Sequence, residues 1–355
     1  MSRKIVHVIG TGTVGVPLIS ILTERKAQLG IEEVTFQPDL NALSNKALLK
    51  GLVSRGAKLC VTEMQADQFT SMGCKVEYLA EEAIDRAGVV IDCSPEGEAL
   101  NAKQRVYSSY IGAPKCFVAQ AREAGFGKDY AYGINDEALE PGKDQFIRVV
   151  SCNAQNIASI VKSLAFHEGE NLLEWGRFLC LRRASDLSED KAFIPAPQIS
   201  IHHDDEYGTY QARDTASLFR TLGFELDLFS SSLKVNTQYL HVVYFDLKLR
   251  KPITLPRVIT RLENNPLIAL TNHTMTNLVF AFARDIGFLG RIFNQAVVVV
   301  PSLQVKNDNE VIGFSFSPQD GNSVFSSIAA AVWFYYPHSY REKLQNLNDL
   351  IFAEV

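Results

Sequence analysis

Apolar positions in the first 150 residues fall into short continuous runs of strand length, each followed by helix-spaced apolar residues or a turn. Lys4 to Ile9 is such a run, and it ends in Gly10-Thr11-Gly12-Thr13-Val14-Gly15 before a helical pattern through Leu18, Ile19, Ile21 and Leu22. Glu33 to Asp39 reads as a second strand and its tip. Val89 to Gly97 reads as a buried strand ending in a turn, with a helix from about Leu100, and Cys116 to Gln120 as one more strand. This alternation predicts an α/β, doubly wound sheet. Arg148-Val149-Val150-Ser151-Cys152-Asn153 then delivers a cysteine to the first turn of a helix, because Ile157, Ile160, Val161 and Leu164 recur at helical spacing. A domain boundary is placed there, since longer alternating runs follow. Arg177 to Arg183 and the stretch through Leu249 read as strands, Leu267 to Leu289 as helical, and Ala296 to Val300 as a short buried strand ended by Pro301. Val311 to Phe316 reads as a strand and Ser326 to Trp333 as a helix.

Length and composition narrow the classes. A chain of 355 residues suggests two domains, and 46% hydrophobic with 21% charged residues is the balance of a globular protein with ample core. A net charge of −5 with no basic run argues against a nucleic-acid binder. The six cysteines form no CxxC pair and no His/Cys metal spacing, so reduced thiols and no metal are expected. Neither a signal-peptide apolar region nor a run of the roughly 20 residues needed to span a bilayer is present, and the expectation is a cytoplasmic protein without a membrane partner.

Two motifs carry chemistry. Gly10, Gly12 and Gly15, with Thr13 and Val14 between them, form G-x-G-x-x-G in the strand–turn–helix setting of a dinucleotide site, where glycines let a diphosphate approach the backbone at a helix N-terminus. Neither an acidic residue for a ribose 2′-hydroxyl nor a basic one for a 2′-phosphate stands at the tip of the second strand, which leaves NAD or NADP open; Asp39, after a proline, reads as a helix N-cap. Ser94 and Pro95, at the carboxyl end of a strand, are cofactor neighbours on the same reasoning. Cys152 is the second motif: unpaired N–H groups at a helix start favour thiolate over thiol. Arg182-Arg183 at a strand end suits either a solvated face or a phosphate clamp, His202-His203 lacks further ligands for a metal, and His241 lies in an apolar run.

The order of these motifs resembles that of the archaeal-type (type II) glyceraldehyde-3-phosphate dehydrogenases. RVVSCN at Arg148 to Asn153 is identical to their nucleophile segment. DCSPEG at Asp92 to Gly97 looks like their DATPEG, RRASDL at Arg182 to Leu187 like RRAADP, NTQYLHVV at Asn236 to Val243 like PTTLMHVH, and PQDG at Pro318 to Gly321 like HQES. The resemblance implies a Rossmann-type doubly wound nucleotide-binding domain with an inserted α+β catalytic domain. The expected boundaries are 1-150 for nucleotide binding, 151-315 for catalysis and 316-355 for a C-terminal helix returning to the first domain. It implies Cys152 as nucleophile and His241 as the base that takes a proton from the thiohemiacetal. It further implies Ser151, Asn153, Arg182, His202 and His203 around the substrate, and Thr13, Val14, Ala121, Arg183 and Gln319 around NAD or NADP. A phosphorylated aldehyde and inorganic phosphate are the implied substrates, oxidised to an acyl phosphate through a thioester, in a homotetramer.

Three departures qualify this picture. The Thr-Thr-Gly that follows the family's nucleophile segment is Ala154-Gln155-Asn156, which removes hydroxyls suited to phosphate. The GGE loop is Ala121-Arg122-Glu123, and Asp204-Asp205 replaces proline and glycine after the paired histidines. They leave room for another aldehyde or semialdehyde, or for a non-catalytic dinucleotide-binding relative.

Overall fold

In β1 (Ile5–Ile9) every residue but the last is buried, and the strand stands at the middle of a parallel sheet. A computed structural model describes residues 3–39, 45–113, 115–120, 123–185 and 194–355. The remaining strands of this sheet are β2 (Glu33–Gln37), β3 (Lys58–Val61), β4 (Val76–Leu79), β5 (Val89–Asp92), β6 (Cys116–Gln120), β7 (Lys128–Tyr130) and β8 (Phe146–Val149), in the spatial order β4-β3-β2-β1-β5-β6-β8-β7. β1 pairs in parallel with β2 on one side and β5 on the other, so the winding reverses at β1. Ligands of doubly wound sheets bind at the carboxyl ends of the strands flanking such a reversal. There β1 runs into the glycine turn, and β5 into Cys93 and Ser94.

The chain divides into two compact units: Met1–Lys128 with Leu139–Val149 and Ser326–Leu347, and Asp129–Ala138 with Val150–Phe325 and Asn348–Val355. The last stretch of the first unit is tied to its sheet by two tyrosines at the C-terminal end of helix Gly321–Tyr335. Tyr335 donates its hydroxyl to the Ile5 carbonyl of β1 at 2.6 Å, and Tyr336, the next residue, donates to the Gly30 carbonyl ahead of β2 at 2.8 Å.

The second unit is built on a mixed sheet. A two-residue hairpin, β9 (Phe166–His167) and β10 (Glu170–Asn171), precedes β11 (Leu173–Arg183), β12 (Gln198–Ile199), β13 (Leu228–Val235), β14 (His241–Leu249), β15 (Ile268–Thr271), β16 (Ala296–Lys306) and β17 (Glu310–Ser317). The spatial order is β12-β13-β11-β14-β17-β16-β15. Strict alternation of buried and half-buried residues along β14 shows one covered face. Helix Cys152–Ala165 supplies much of that cover, with only Lys162 and Ser163 reaching partly to solvent. A helix buried nearly all round is a core element; Ile157, Ile160, Val161 and Leu164 join Phe178, Val243, Phe245 and Val298 in one cluster. The fold is therefore α/β, with a Rossmann-like parallel sheet and a second, α+β unit.

Two elements differ from the sequence reading. Leu267 to Leu289 is not one helical stretch: Ile268–Thr271 is a strand paired in parallel with β16, and only Thr276–Asp285 is helical. A short apolar run satisfies either period, and here a partner strand decides. Nor does Pro301 end its strand. β16 continues to Lys306 across a register shift between Val299 and Gln304, where Ser302 donates to the Val299 carbonyl at 2.6 Å and accepts the Phe314 N–H at 2.8 Å. The side chain replaces ladder bonds at the bulge that accommodates the proline.

Candidate functional site

The glycine turn is shaped by close approach. Gly10 has φ +94°, and a Cβ there would lie 2.8 Å from the Cys93 carbonyl oxygen; one on Gly15 would lie 2.1 Å from the Gly10 oxygen. Gly12 faces open space. Helix Gly15–Glu24 starts with no side-chain cap and no acidic residue in its first turn among the described residues. Its leading N–H groups and the positive end of its dipole therefore suit a diphosphate. Asp39, two residues past β2, accepts hydrogen bonds from the Thr11 N–H at 2.8 Å and the Thr11 hydroxyl at 3.2 Å, which brings a carboxylate to this turn. Thr13 and Val14 lie half-buried in it. Ser94 folds back, its N–H and hydroxyl both donating to Asp92, while Pro95 is exposed. Ala121 and Arg122 lie outside the described residues; Glu123, after them, accepts the Gly97 and Leu100 N–H groups and so caps helix Glu98–Arg105.

Cys152 is the first residue of its helix and is 9% exposed. Ser151 is the N-cap, its hydroxyl accepting the Ala154 N–H at 3.4 Å. Asn153 and Asn156 enter a buried network: Ser317 donates to Asn153 at 2.8 Å, Asn156 donates to Ser317 at 3.2 Å, and Ser315 donates to Asn156 at 2.8 Å. Gln155 donates to the Val150 carbonyl and to Ser323. From the start of helix Gly321–Tyr335, Asn322 donates to the Cys152 carbonyl at 2.9 Å and to that of Gln295 at 3.1 Å. Burial pushes the thiols of Cys60 and Cys180 up to about 12 and raises those of Cys93 and Cys116 as well.

His241 opens β14 directly opposite Ser317 of β17, the residue bonded to Asn153, so the histidine and the cysteine-bearing turn share a neighbourhood. Its Nδ1 accepts the Arg183 N–H at 3.1 Å. Burial, then the guanidinium of Arg183, hold the imidazole well below its ordinary value; Asp320 acts in the opposite sense and Arg182 adds to the lowering. Arg183 itself donates to Asp320 at 2.7 Å, both residues buried. Burial pushes the Asp320 carboxyl up, but Arg183 and then His241 outweigh it and hold the acid below the usual carboxylate range. Gln319 accepts the Leu240 N–H at 3.0 Å through Oε1, and its Nε2 is buried with no hydrogen-bond partner among the described residues.

Arg183, His241, Gln319 and Asp320 thus come together, and Ser317 links them to Asn153. Arg182 instead lies over the Tyr210 ring, 5.8 Å from its centroid. His202 is exposed, bonded to Ser231 at 3.0 Å and edge-on to Phe229; Ser231 pairs with Leu179, three positions before Arg182 and so roughly 10 Å along the strand. His203 is exposed beside it. Ser315, Ser317 and Asn322 were not singled out by sequence, Asn156 entered only as a departure after the cysteine and Asp320 only as part of PQDG; the one available signal was the largely polar run Ser315 to Ser323 ahead of an apolar helix. Among the described residues no group of three or more His, Cys, Asp or Glu is placed to hold a metal ion, and no helix is long and apolar enough to cross a membrane.

No family model matches the chain. It is 27% identical over 322 residues to the glyceraldehyde-3-phosphate dehydrogenase of Metallosphaera sedula, covering 86% of this chain and 85% of that protein. The enzyme of the same name from Aeropyrum pernix is 28% identical over 290 residues, covering 78% and 76%. That of Hyperthermus butylicus is 26% identical over 340 residues, covering 93% and 91%. Similarity at this level along most of the chain is that of a divergent relative.

Proposed function

We propose that the protein is a nicotinamide-dinucleotide-dependent aldehyde dehydrogenase that oxidises glyceraldehyde 3-phosphate to the acyl phosphate through a thioester on Cys152. The observation that carries this reading is Cys152 at the start of a buried helix, within RVVSCN, with Asn153 tied through Ser317 to the strand position facing His241. Helix N–H groups favour the thiolate and can bind an oxyanion formed beside it. The thiolate sulfur adds to the aldehyde carbon, and the tetrahedral oxygen then re-forms the carbonyl as hydride departs, leaving a thioester. A bound nicotinamide dinucleotide supplies the hydride acceptor, and the turn from Gly10 to Gly15 fits its diphosphate. Inorganic phosphate attacks the thioester, releasing acyl phosphate and regenerating the thiolate. The Asp39 carboxylate at the turn opposes a 2′-phosphate, which favours NAD over NADP.

One observation favours a second reading, an aldehyde other than this one or a thioester not resolved by phosphate. Gln155 and Asn156 direct their amides into the protein, and Ala154 has no polar group, so these three positions offer no hydroxyl to an incoming phosphate.

Reduced cofactor formation from glyceraldehyde 3-phosphate, with and without inorganic phosphate and with NAD or NADP, separates the two. Phosphate-dependent turnover abolished by Cys152→Ser supports the first reading, and phosphate-independent turnover the second. Turnover that survives Cys152→Ser, or iodoacetamide labelling of Cys152 no faster than of Cys60, sinks both.

A further inference from the structure

Four buried side chains between helix Cys152–Ala165 and β17 form one hydrogen-bonded line. Asn153 and Asn156, three positions apart, share a face of the helix, and Ser315 and Ser317, two apart, share a face of the strand. The Ser315 hydroxyl lies 2.8 Å from Oδ1 of Asn156, Nδ2 of Asn156 lies 3.2 Å from the Ser317 hydroxyl, and that hydroxyl lies 2.8 Å from Oδ1 of Asn153. The resembling enzymes carry the glycine of Thr-Thr-Gly where Asn156 stands, so they lack the side chain that joins the two serines.

Such a line has only two senses, because each hydroxyl owns a single proton. If Ser317 gives its proton to Asn153, it accepts from Nδ2 of Asn156, whose Oδ1 is left for the proton of Ser315; every hydroxyl proton then has an acceptor. In the opposite sense both amides turn over and Ser315 accepts from Asn156, so its own proton needs another partner. The Ser315 hydroxyl is fully buried and has no second partner among the described residues. A buried hydroxyl proton without an acceptor is unfavourable, so the closed end at Ser315 sets the sense of the whole line. Asn153 therefore receives a proton at Oδ1, and its Nδ2 makes no hydrogen bond among the described residues.

We propose that Ser315, Asn156 and Ser317 are positioning residues for the substrate: they hold the Asn153 amide in the one orientation that offers N–H, not C=O, to an oxygen of the aldehyde. The proposal rests on the aldehyde reading above and on Asn153, next to the nucleophile, meeting the substrate. Glyceraldehyde 3-phosphate presents carbonyl, hydroxyl and phosphate oxygens, all of them acceptors, and a reversed Asn153 would set its own oxygen against them.

Two substitutions at Asn156 separate orientation from mere packing. Asn156→Asp changes one group but offers two acceptors, so both serines donate to it; Ser317 then takes a proton from Nδ2 of Asn153 and turns that amide over. Assayed at about pH 8.5 to keep the new carboxyl ionised, this variant should lose about 10–10²-fold in kcat/KM for glyceraldehyde 3-phosphate, with NADH affinity within about twofold of the parent. Asn156→Leu removes the joining amide without reversing Asn153 and should lose only about 2–5-fold. The closer chemical mimic is thus the worse catalyst, an order that loss of packing alone would not produce. Neutron diffraction from crystals exchanged into D₂O reads the sense without any assay: the Ser317 deuteron should point at Asn153. A deuteron pointing at Asn156, or Asn156→Asp at least as active as Asn156→Leu, overturns the proposal. If the parent turns over no aldehyde, the aldehyde reading fails, and the deuteron on Ser317 still decides the orientation of Asn153.

Discussion

His7 makes the first unit sensitive to acid. It is fully buried in β1, its Nδ1 lies 2.8 Å from the Thr35 hydroxyl of β2, and its Nε2 has no partner among the described residues. Burial pulls its pKa down to about 3, against 6.5 for the ordinary imidazole. Below 6.5 the unfolded chain takes up a proton that the folded chain refuses, so this contribution leaves stability intact above that value and erodes it as pH falls from 6.5 towards 3. At 1.36 kcal/mol per pKa unit the loss is about 0.2 kcal/mol at pH 7 and about 2 kcal/mol at pH 5. The figure at pH 5 is set by the unfolded value and hardly changes while the folded one stays below about 4. For a unit of this size, 2 kcal/mol corresponds to roughly 4–8 °C in Tm. The double variant His7→Val/Thr35→Val removes both partners, which avoids leaving a lone buried hydroxyl. Calorimetric scans at both pH values should show the parent losing about 4–8 °C more than the variant on going from pH 7 to pH 5. Equal losses would show that His7 is protonated in the folded state and would refute the argument from burial.

Two further outcomes follow from other sites. Asp320 has φ +62°, a conformation asparagine tolerates, so Asp320→Asn removes charge with little backbone cost; stripping the buried Arg183 of its carboxylate should destabilise the fold by about 3–5 kcal/mol, and Arg183→Met in the same chain should restore part of the lost melting temperature. Gly15→Ala places a methyl 2.1 Å from the Gly10 oxygen, and should weaken NADH binding at least about tenfold in a fluorescence titration; unchanged affinity would remove the glycine turn from the cofactor site.

What could be read from sequence was local. The glycine turn and the delivery of Cys152 to a helix start each need only a strand, a few permissive residues and a periodic run, all contiguous in the chain. What could not be read depended on distant partners. Ile268–Thr271 is a strand because β16 lies beside it, and Pro301 is tolerated because Ser302 satisfies Val299 and Phe314. Ser315 and Ser317 look like outward positions of a half-exposed strand, yet Asn153 and Asn156 allow them to be buried. The glycine in PQDG, where the resembling enzymes carry serine, also has a spatial cause: a Cβ on Gly321 would lie 1.8 Å from the Ile292 oxygen.

Asn322 makes the seating of Cys152 depend on a far later stretch of the chain. Its amide grips the carbonyl of Cys152 from 170 positions downstream, and the same nitrogen holds Gln295. A ribosome that has released only the first three hundred or so residues has therefore made the cysteine but not the clasp that seats it.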